Sequence, residues 1–300
     1  MSNLKEIRRR IGSVSNTKQI TRAMKLVSAA KLRRAQDAAT GGRDFSKRLD
    51  RILAELMSSL PEDFSHPLLE KREVIKKRRL VVVSGDRGLC GPYNTNVQKA
   101  VIKELEASEA ENVEVDMIAI GRRAVSSVNA RGWNLVEGYE SLATDPTEWP
   151  ISEITTRCGN DFESEDCDEV ILLYTHFHSA VSQEVTRVSL IPFEGTPVGT
   201  EAEDQSKDEE PASLNKTKCD PDAESIVSEL INVLISSKLT QAILESRASE
   251  HAARMTAMDA ATNNASDLIG KLKLTYNRAR QSAITTELID IVGGAEATSG

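Results

Sequence analysis

Proline is absent from the first 60 residues and from everything after Pro221, and both stretches carry apolar residues at helical spacing. Proline ends or kinks a helix interior, so long runs without it that keep a 3.6-residue apolar period predict continuous α-helix. Leu4, Ile7, Ile11 and Val14 recur at spacings of three and four, and Ile20, Met24 and Val27 resume the stripe after a shift. Asn3 with Glu6 resembles a capping box at the start. The helix runs nearly to Pro61, which at 1.5 Å per residue is on the order of 85 Å. Gly41-Gly42 interrupts it and is expected to bend or break it.

The C-terminal helix is announced by Asp220-Pro221-Asp222, an N-cap, a proline at the first helical position and acidic residues near the positive helix end. Only Gly270 interrupts before Ile291-Val292, and Gly293-Gly294 is expected to stop the helix. That gives on the order of 105 Å of helix. Two such helices, each with a narrow apolar stripe, bury those stripes most simply against each other as an antiparallel coiled coil.

Nine of the eleven aromatic residues lie between Phe64 and Phe193, which places a globular core there. Apolar runs at Leu80 to Val83, Val113 to Ile120, Glu169 to Thr175 and Val185 to Ile191 alternate with helix-like segments. That rhythm predicts a small α/β domain with a mostly parallel sheet. The fold class expected is α+β overall: residues 1–60 as N-terminal coiled-coil helix, 76–195 as central α/β domain, and 222–292 as C-terminal coiled-coil helix. Residues 194–222 hold nine Asp or Glu against three Lys, with three prolines and no apolar period. Residues 196–221 are therefore expected to form a solvated, flexible connector.

Charge is unevenly spread. The net charge is -8, yet residues 1–56 carry 14 Lys or Arg against 5 Asp or Glu. A basic helix on an acidic chain points to an acidic partner. Nucleic acid is one candidate, given Arg8-Arg9-Arg10, Lys31, Arg33 and Arg34, but Phe45 is the helix's single aromatic and no base-reading motif accompanies it. A protein partner is favoured. No apolar run is long enough to span a bilayer, and Met1 leads straight into the amphipathic pattern, which reads as an uncleaved cytosolic start.

Sites for chemistry are few. Ser84-Gly85-Asp86-Arg87-Gly88-Leu89-Cys90-Gly91-Pro92 follows a strand and precedes a helix, where α/β proteins bind phosphates. Its glycine spacing matches neither the dinucleotide fingerprint nor the phosphate loop, so a structural turn is favoured. Cys90 with His176 or His178 as base lacks an orienting third residue. His176 and His178 alone are too few for structural zinc. Cys90, Cys158, Cys167 and Cys219 lack paired spacing and read as reduced thiols, with a Cys158–Cys167 pair the one disulfide worth weighing. Glu245 to Met255 puts charge nearly all round a helix, which reads as a solvated face with pairs such as Glu250–Arg254, or as a surface gripped by partners. Ile284, Leu288 and Ile291 form an apolar face near the C-terminal tip that needs an enclosure.

Four blocks resemble the gamma subunit of the rotary proton-translocating (F-type) ATP synthase: Ile7 to Ile11 through Thr17 to Lys31; Asp86 to Gly91 with Tyr93-Asn94; Ala248 to Ala265; and Tyr276 to Gln281. The resemblance implies a non-catalytic rotor shaft turning inside a hexamer of alpha and beta subunits, with the α/β head gripping epsilon and the membrane c-ring. It implies no cofactor, metal, nucleic acid or direct small-molecule substrate. Met24 and Lys25 would slide past the beta lever, and Arg254, Arg280, Gln281 and Thr285 would contact the hexamer from the C-terminal helix. Arg8, Arg9, Arg87 and, at the tip in the apolar collar, Leu288 complete the expected interface. The chain would be a peripheral protein on the cytoplasmic face of a bacterial inner membrane. Gly85 stands where the family often has Ser, and Pro92 where it often has Gly. A single Cys219 in the connector lacks the paired-cysteine insert of the chloroplast form. A non-rotating coiled-coil scaffold is the alternative, followed by a nucleic-acid-binding helix.

Overall fold

The computed structural model describes residues 2–59, 66–193 and 223–299. Two long helices, α1 (Ser2–Ser59) and α5 (Ala223–Ser299), flank the elements of a five-stranded sheet. The expected helix start at Asp220-Pro221-Asp222 and the connector lie outside the described residues. Two departures concern helix ends: α1 already includes Asn3, so the expected capping box does not begin it, and α5 continues through Gly293-Gly294 to Ser299. The chain divides into two compact units, residues 1–29 with 254–300 and residues 30–253.

The larger unit holds the sheet. Its elements are β1 (Lys77–Val83), α2 (Tyr93–Ala110), β2 (Glu114–Ile120), α3 (Arg122–Arg131), β3 (Leu135–Tyr139), α4 (Ile151–Glu163), β4 (Glu169–Phe177) and β5 (Gln183–Ile191). Strand order is β3-β2-β1-β4-β5, parallel except for the β4–β5 hairpin. Alternating side chains of a strand face opposite ways, and here both faces are covered. Leu80, Val82, Met117, Ala119, Ile171 and Leu173 pack with Val97 and Val101 of α2 and Val125 and Val128 of α3. On the other face, Val81, Val83, Ile118, Ile120, Val170 and Leu172 meet Ile154 and Phe162 of α4 and Ile231, Ile235, Leu239 and Ile243 of α5. This explains why the central strands read as unbroken apolar runs. It also means that Val227, Ile231, Leu234, Ile235, Leu239, Ala242, Ile243 and Leu244 of α5 belong to the core of the head.

The N-terminal edge of the sheet is charged and buried. Arg79, 3% exposed, donates to both oxygens of Asp116 at 2.8 and 2.9 Å and also pairs with Asp161. Beside it Arg78 donates to Glu169 at 2.9 Å and Ser108 at 2.7 Å.

Helix α1 passes through Gly41-Gly42 without the expected break. Each glycine has a different reason to be there. Gly42 lies on the face turned to α5, where a Cβ would fall 2.3 Å from Oε1 of Gln241. The Gln241 amide is fixed by bonds to the Ala39 carbonyl at 3.0 Å and Glu245 at 2.9 Å, so it has no easy retreat. Gly41 has nothing within 4 Å of its would-be Cβ. Gly41→Ala is therefore expected to stabilise the chain by about 1 kcal/mol through helix propensity. Gly42→Ala is expected to destabilise it by roughly 1–3 kcal/mol by displacing a buried, bonded amide. Urea unfolding of the two variants beside the parent checks both signs.

In the smaller unit, α1 and α5 run antiparallel: Thr21 meets Thr262 through hydroxyls 2.8 Å apart, and the Lys25 ammonium meets Asp259 at 2.5 Å. Burial in α1 recurs at Leu4, Ile7, Ile11, Val14, Lys18, Thr21, Lys25 and Ser28, an unbroken alternation of three and four. The seam therefore does not shift as expected. It continues through polar residues, while Ile20, Leu26 and Val27 stand 60%, 64% and 56% exposed. On α5 the matching stripe is Met258, Thr262, Ala265, Ile269, Leu272, Tyr276, Ala279 and Ala283.

Candidate functional site

In a doubly wound sheet, ligands bind beyond the C-terminal ends of the strands, where the connections diverge to either side. That point is the end of β1, and the glycine-rich turn at residues 84–92 sits there. The turn is fastened by its own side chains. Oδ1 of Asn94 accepts from the Ser84 hydroxyl at 2.9 Å and the Gly85 amide at 3.3 Å, while Nδ2 donates to the Arg87 carbonyl and the Cys90 sulfur. Asp86 accepts from the amides of Arg122 and Ser141, each at 3.0 Å.

What would be the ligand crevice is filled by α5. A Cβ on Gly85 would lie 2.9 Å from the Glu250 carboxyl carbon, and Cys90 and Tyr93 pack on Ala253. The Tyr93 hydroxyl meets Ser246 and Thr175, and burial, with the nearby Glu250 charge, pushes its phenol well up. A side chain at position 85 would have to displace the Glu250 carboxylate. Through these contacts the turn anchors α5.

The Cys90 and histidine arrangement dissolves in the same way. His176 is buried and bonded through Nδ1 to Glu245, while Cys90 is taken up by the Asn94 turn. Glu245 is fully buried and also accepts from Arg43 at 2.8 Å and Gln241 at 2.9 Å. Burial would raise this carboxyl, but the bonds from His176, Gln241 and Arg43 outweigh it and hold it below the usual range.

The segment from Glu245 onward is therefore not a solvated face. Glu245, Ser246, Ala248, Ser249, Glu250, Ala252 and Ala253 are all buried. Arg247 lies over Trp149 and donates to the carbonyls of Leu142 and Ala143 at 2.9 and 2.8 Å. The missed signal is the density of Ala and Ser among the charges, which lets backbones approach closely.

Cys90, Cys158 and Cys167 are buried thiols in no disulfide, so Cys158 and Cys167 do not pair; Cys219 lies outside the described residues. Burial pushes Cys158 up to about 12 and Cys167 up to about 11. Since the thiolate is the reactive form, both are expected to resist iodoacetamide at pH 8 in the native protein and to react fully in guanidinium. Peptide mass mapping reads this, and native labelling of either would contradict the placement.

The expected interface residues divide by exposure. Arg8, Arg9, Arg87, Arg280, Gln281, Thr285 and Leu288 are exposed and Met24 is half-buried. Lys25 pairs with Asp259 of α5 at a part-exposed position, and Arg254 is buried. Near the C-terminal end Ile284, Leu288, Ile289, Ile291 and Val292 are all exposed, a concentration of large apolar side chains that a solvated coil does not ordinarily carry. Among the described residues no helix is long and apolar enough to cross a membrane.

A coil that displays Ile284, Leu288, Ile289, Ile291 and Val292 to solvent defines a class of protein built to contact other proteins. A family model described as ATP synthase matches residues 3–298. The ATP synthase gamma chains of Trichlorobacter lovleyi and Geobacter metallireducens are 39% and 40% identical over 300 residues, covering all of this chain and all of each relative. The rotor of the Euglena gracilis mitochondrial ATP synthase shares the fold, with a TM-score of 0.62 at 20% identity over 94% of this chain and 99% of that one. The chain belongs to the ATP synthase gamma chain family.

Proposed function

We propose that this chain is the central rotor shaft of an F-type ATP synthase and that it carries no catalytic site of its own. In this reading the coil turns inside a hexamer of alpha and beta subunits, the head binds epsilon and the membrane c-ring, and the protein sits peripherally on the cytoplasmic face of a bacterial inner membrane. The observation that carries it is the exposure of apolar side chains on the coil, at Ile20, Leu26 and Val27 and again from Ile284 to Val292. Concentrations of large apolar side chains on a surface mark sites where a partner binds. A rotor needs a surface that meets successive partners in succession, so that each catalytic site changes affinity through differential contacts. Arg8, Arg9, Met24, Arg87, Arg280, Gln281, Thr285 and Leu288 are the residues we place at those contacts.

Reconstitution tests this directly. The purified chain mixed with alpha and beta subunits of the same source is expected to give a stable complex that hydrolyses ATP, with no hydrolysis by the chain alone. A well-folded chain that forms no complex would return the non-rotating scaffold. Met24 stands half-buried in the α1 segment that exposes Ile20 and Val27. Met24→Lys is expected to add a polar contact to the passing subunit and slow turnover about tenfold, equivalent to roughly 1.4 kcal/mol on the barrier. Unchanged turnover and coupling would remove Met24 from the interface.

A further inference from the structure

Helix α1 carries two competing seams. Ile20, Met24 and Val27 make an apolar stripe with spacings of four and three, and Thr21, Lys25 and Ser28 make a polar one with the same spacings, one residue on. One residue is about 100° around a helix, so burying the first would turn the second out to solvent. Hydrophobicity favours the apolar stripe, yet the structure buries the polar one.

The reason lies on α5. Thr262 faces Thr21 at 2.8 Å between hydroxyls, and Asp259 faces Lys25 at 2.5 Å. Thr21 and Ser28 are buried, and the Lys25–Asp259 pair is part-exposed, so its charged ends keep some water. The polar stripe is also in phase with Leu4, Ile7, Ile11 and Val14, whereas the apolar one is not. Polar residues at seam positions of a coiled coil are known to select register at some cost in stability.

We propose that Thr21–Thr262 and Lys25–Asp259 form a register lock that fixes the azimuth of α1 against α5 and so holds Ile20, Leu26 and Val27 outward. Lys25 is then a positioning residue that works inside the coil, not a contact to a partner. That those outward residues meet the catalytic subunits rests on the rotor reading; the lock itself does not.

The test uses the full chain in a Cys219→Ser background with reporter cysteines one layer from the lock. Seven residues along each helix from Thr21 and Thr262, the antiparallel register sets Ser28 opposite Met255. Disulfide formation is followed in Ser28→Cys/Met255→Cys and in Val27→Cys/Met255→Cys. The Ser28 pair is expected to close at least about tenfold faster, the ratio for roughly 1.4 kcal/mol of register preference. Adding Lys25→Glu, which sets like charges against Asp259, is expected to abolish or invert that ratio. The swap Lys25→Glu with Asp259→Lys is expected to restore it.

An unchanged ratio in Lys25→Glu, or no restoration in the swap, would overturn the lock. Should Lys25→Glu not fold, the swap decides: a folded swap that favours the Ser28 pair supports the lock, and one without preference overturns it. Because the readout lies within the chain, failure here leaves the rotor reading to be judged by reconstitution.

Discussion

Arg79→Met is expected to cost about 3–5 kcal/mol, the penalty for removing one partner of a buried ion pair. The substitution keeps most of the volume on β1, so the loss is not chiefly one of packing. What remains is Asp116, 1% exposed, stripped of the two guanidinium bonds that satisfy it. Lys77 reaches its Oδ2 at 3.3 Å from a partly exposed position and offsets only a fraction. The double variant Arg79→Met/Asp116→Leu removes both charges and is expected to recover a large share of the stability, because an apolar pair of similar size carries no desolvation cost. Chemical unfolding of the parent, the two single variants and the double variant gives the coupling. A single variant within about 0.5 kcal/mol of the parent, the range of ordinary surface substitutions, would contradict the burial of this pair.

The second large effect is at Glu245. Glu245→Ala is expected to cost about 3–5 kcal/mol, since Arg43, His176 and Gln241 all direct donors at a carboxylate with no exposure. Its pH signature distinguishes it from a packing defect. A carboxyl held below its ordinary value contributes stability that is complete above that value, near 4.5, and is lost as pH falls through the lower folded-state value. Asp168 titrates in the same direction: burial would raise it, but the amides of Lys76 and Lys77 and the Arg72 guanidinium hold it low. The parent is therefore expected to lose stability steeply below about pH 4.5. Glu245→Gln should be less stable than the parent at pH 7 and should show a shallower decline on acidification. Parallel curves for the two proteins from pH 7 to pH 3 would mean that the carboxylate is not held as described.

How much of this was legible in the sequence depended on whether the deciding contact was local. The two helices, the strands β1, β2, β4 and β5 and the parallel sheet follow from spacing and composition, because both signals lie within a few residues. Strand β3 escaped because Leu135–Tyr139 is short, half-buried and contains Glu137 and Gly138. The seam at Thr21 to Ser28 was misplaced for the opposite reason: Ile20, Met24 and Val27 give the stronger local pattern, and only Asp259 and Thr262, more than 230 residues away, reverse it. Glu245 and Glu250 read as surface charges until β4, Gly85 and Arg43 are known to surround them. Among the expected interface residues, Arg280, Gln281, Thr285 and Leu288 are exposed. Lys25 pairs with Asp259 and Arg254 is buried, contacts that sequence spacing alone had no means of registering.

The rotor reading is tested most directly by watching the chain move. An alpha/beta hexamer is fixed to a surface, the chain is assembled into it, and a probe is attached to an exposed position on the head. Stepwise, one-directional rotation of the probe on addition of ATP is the result this account predicts. A complex that hydrolyses ATP at full rate while the probe stays still would contradict it.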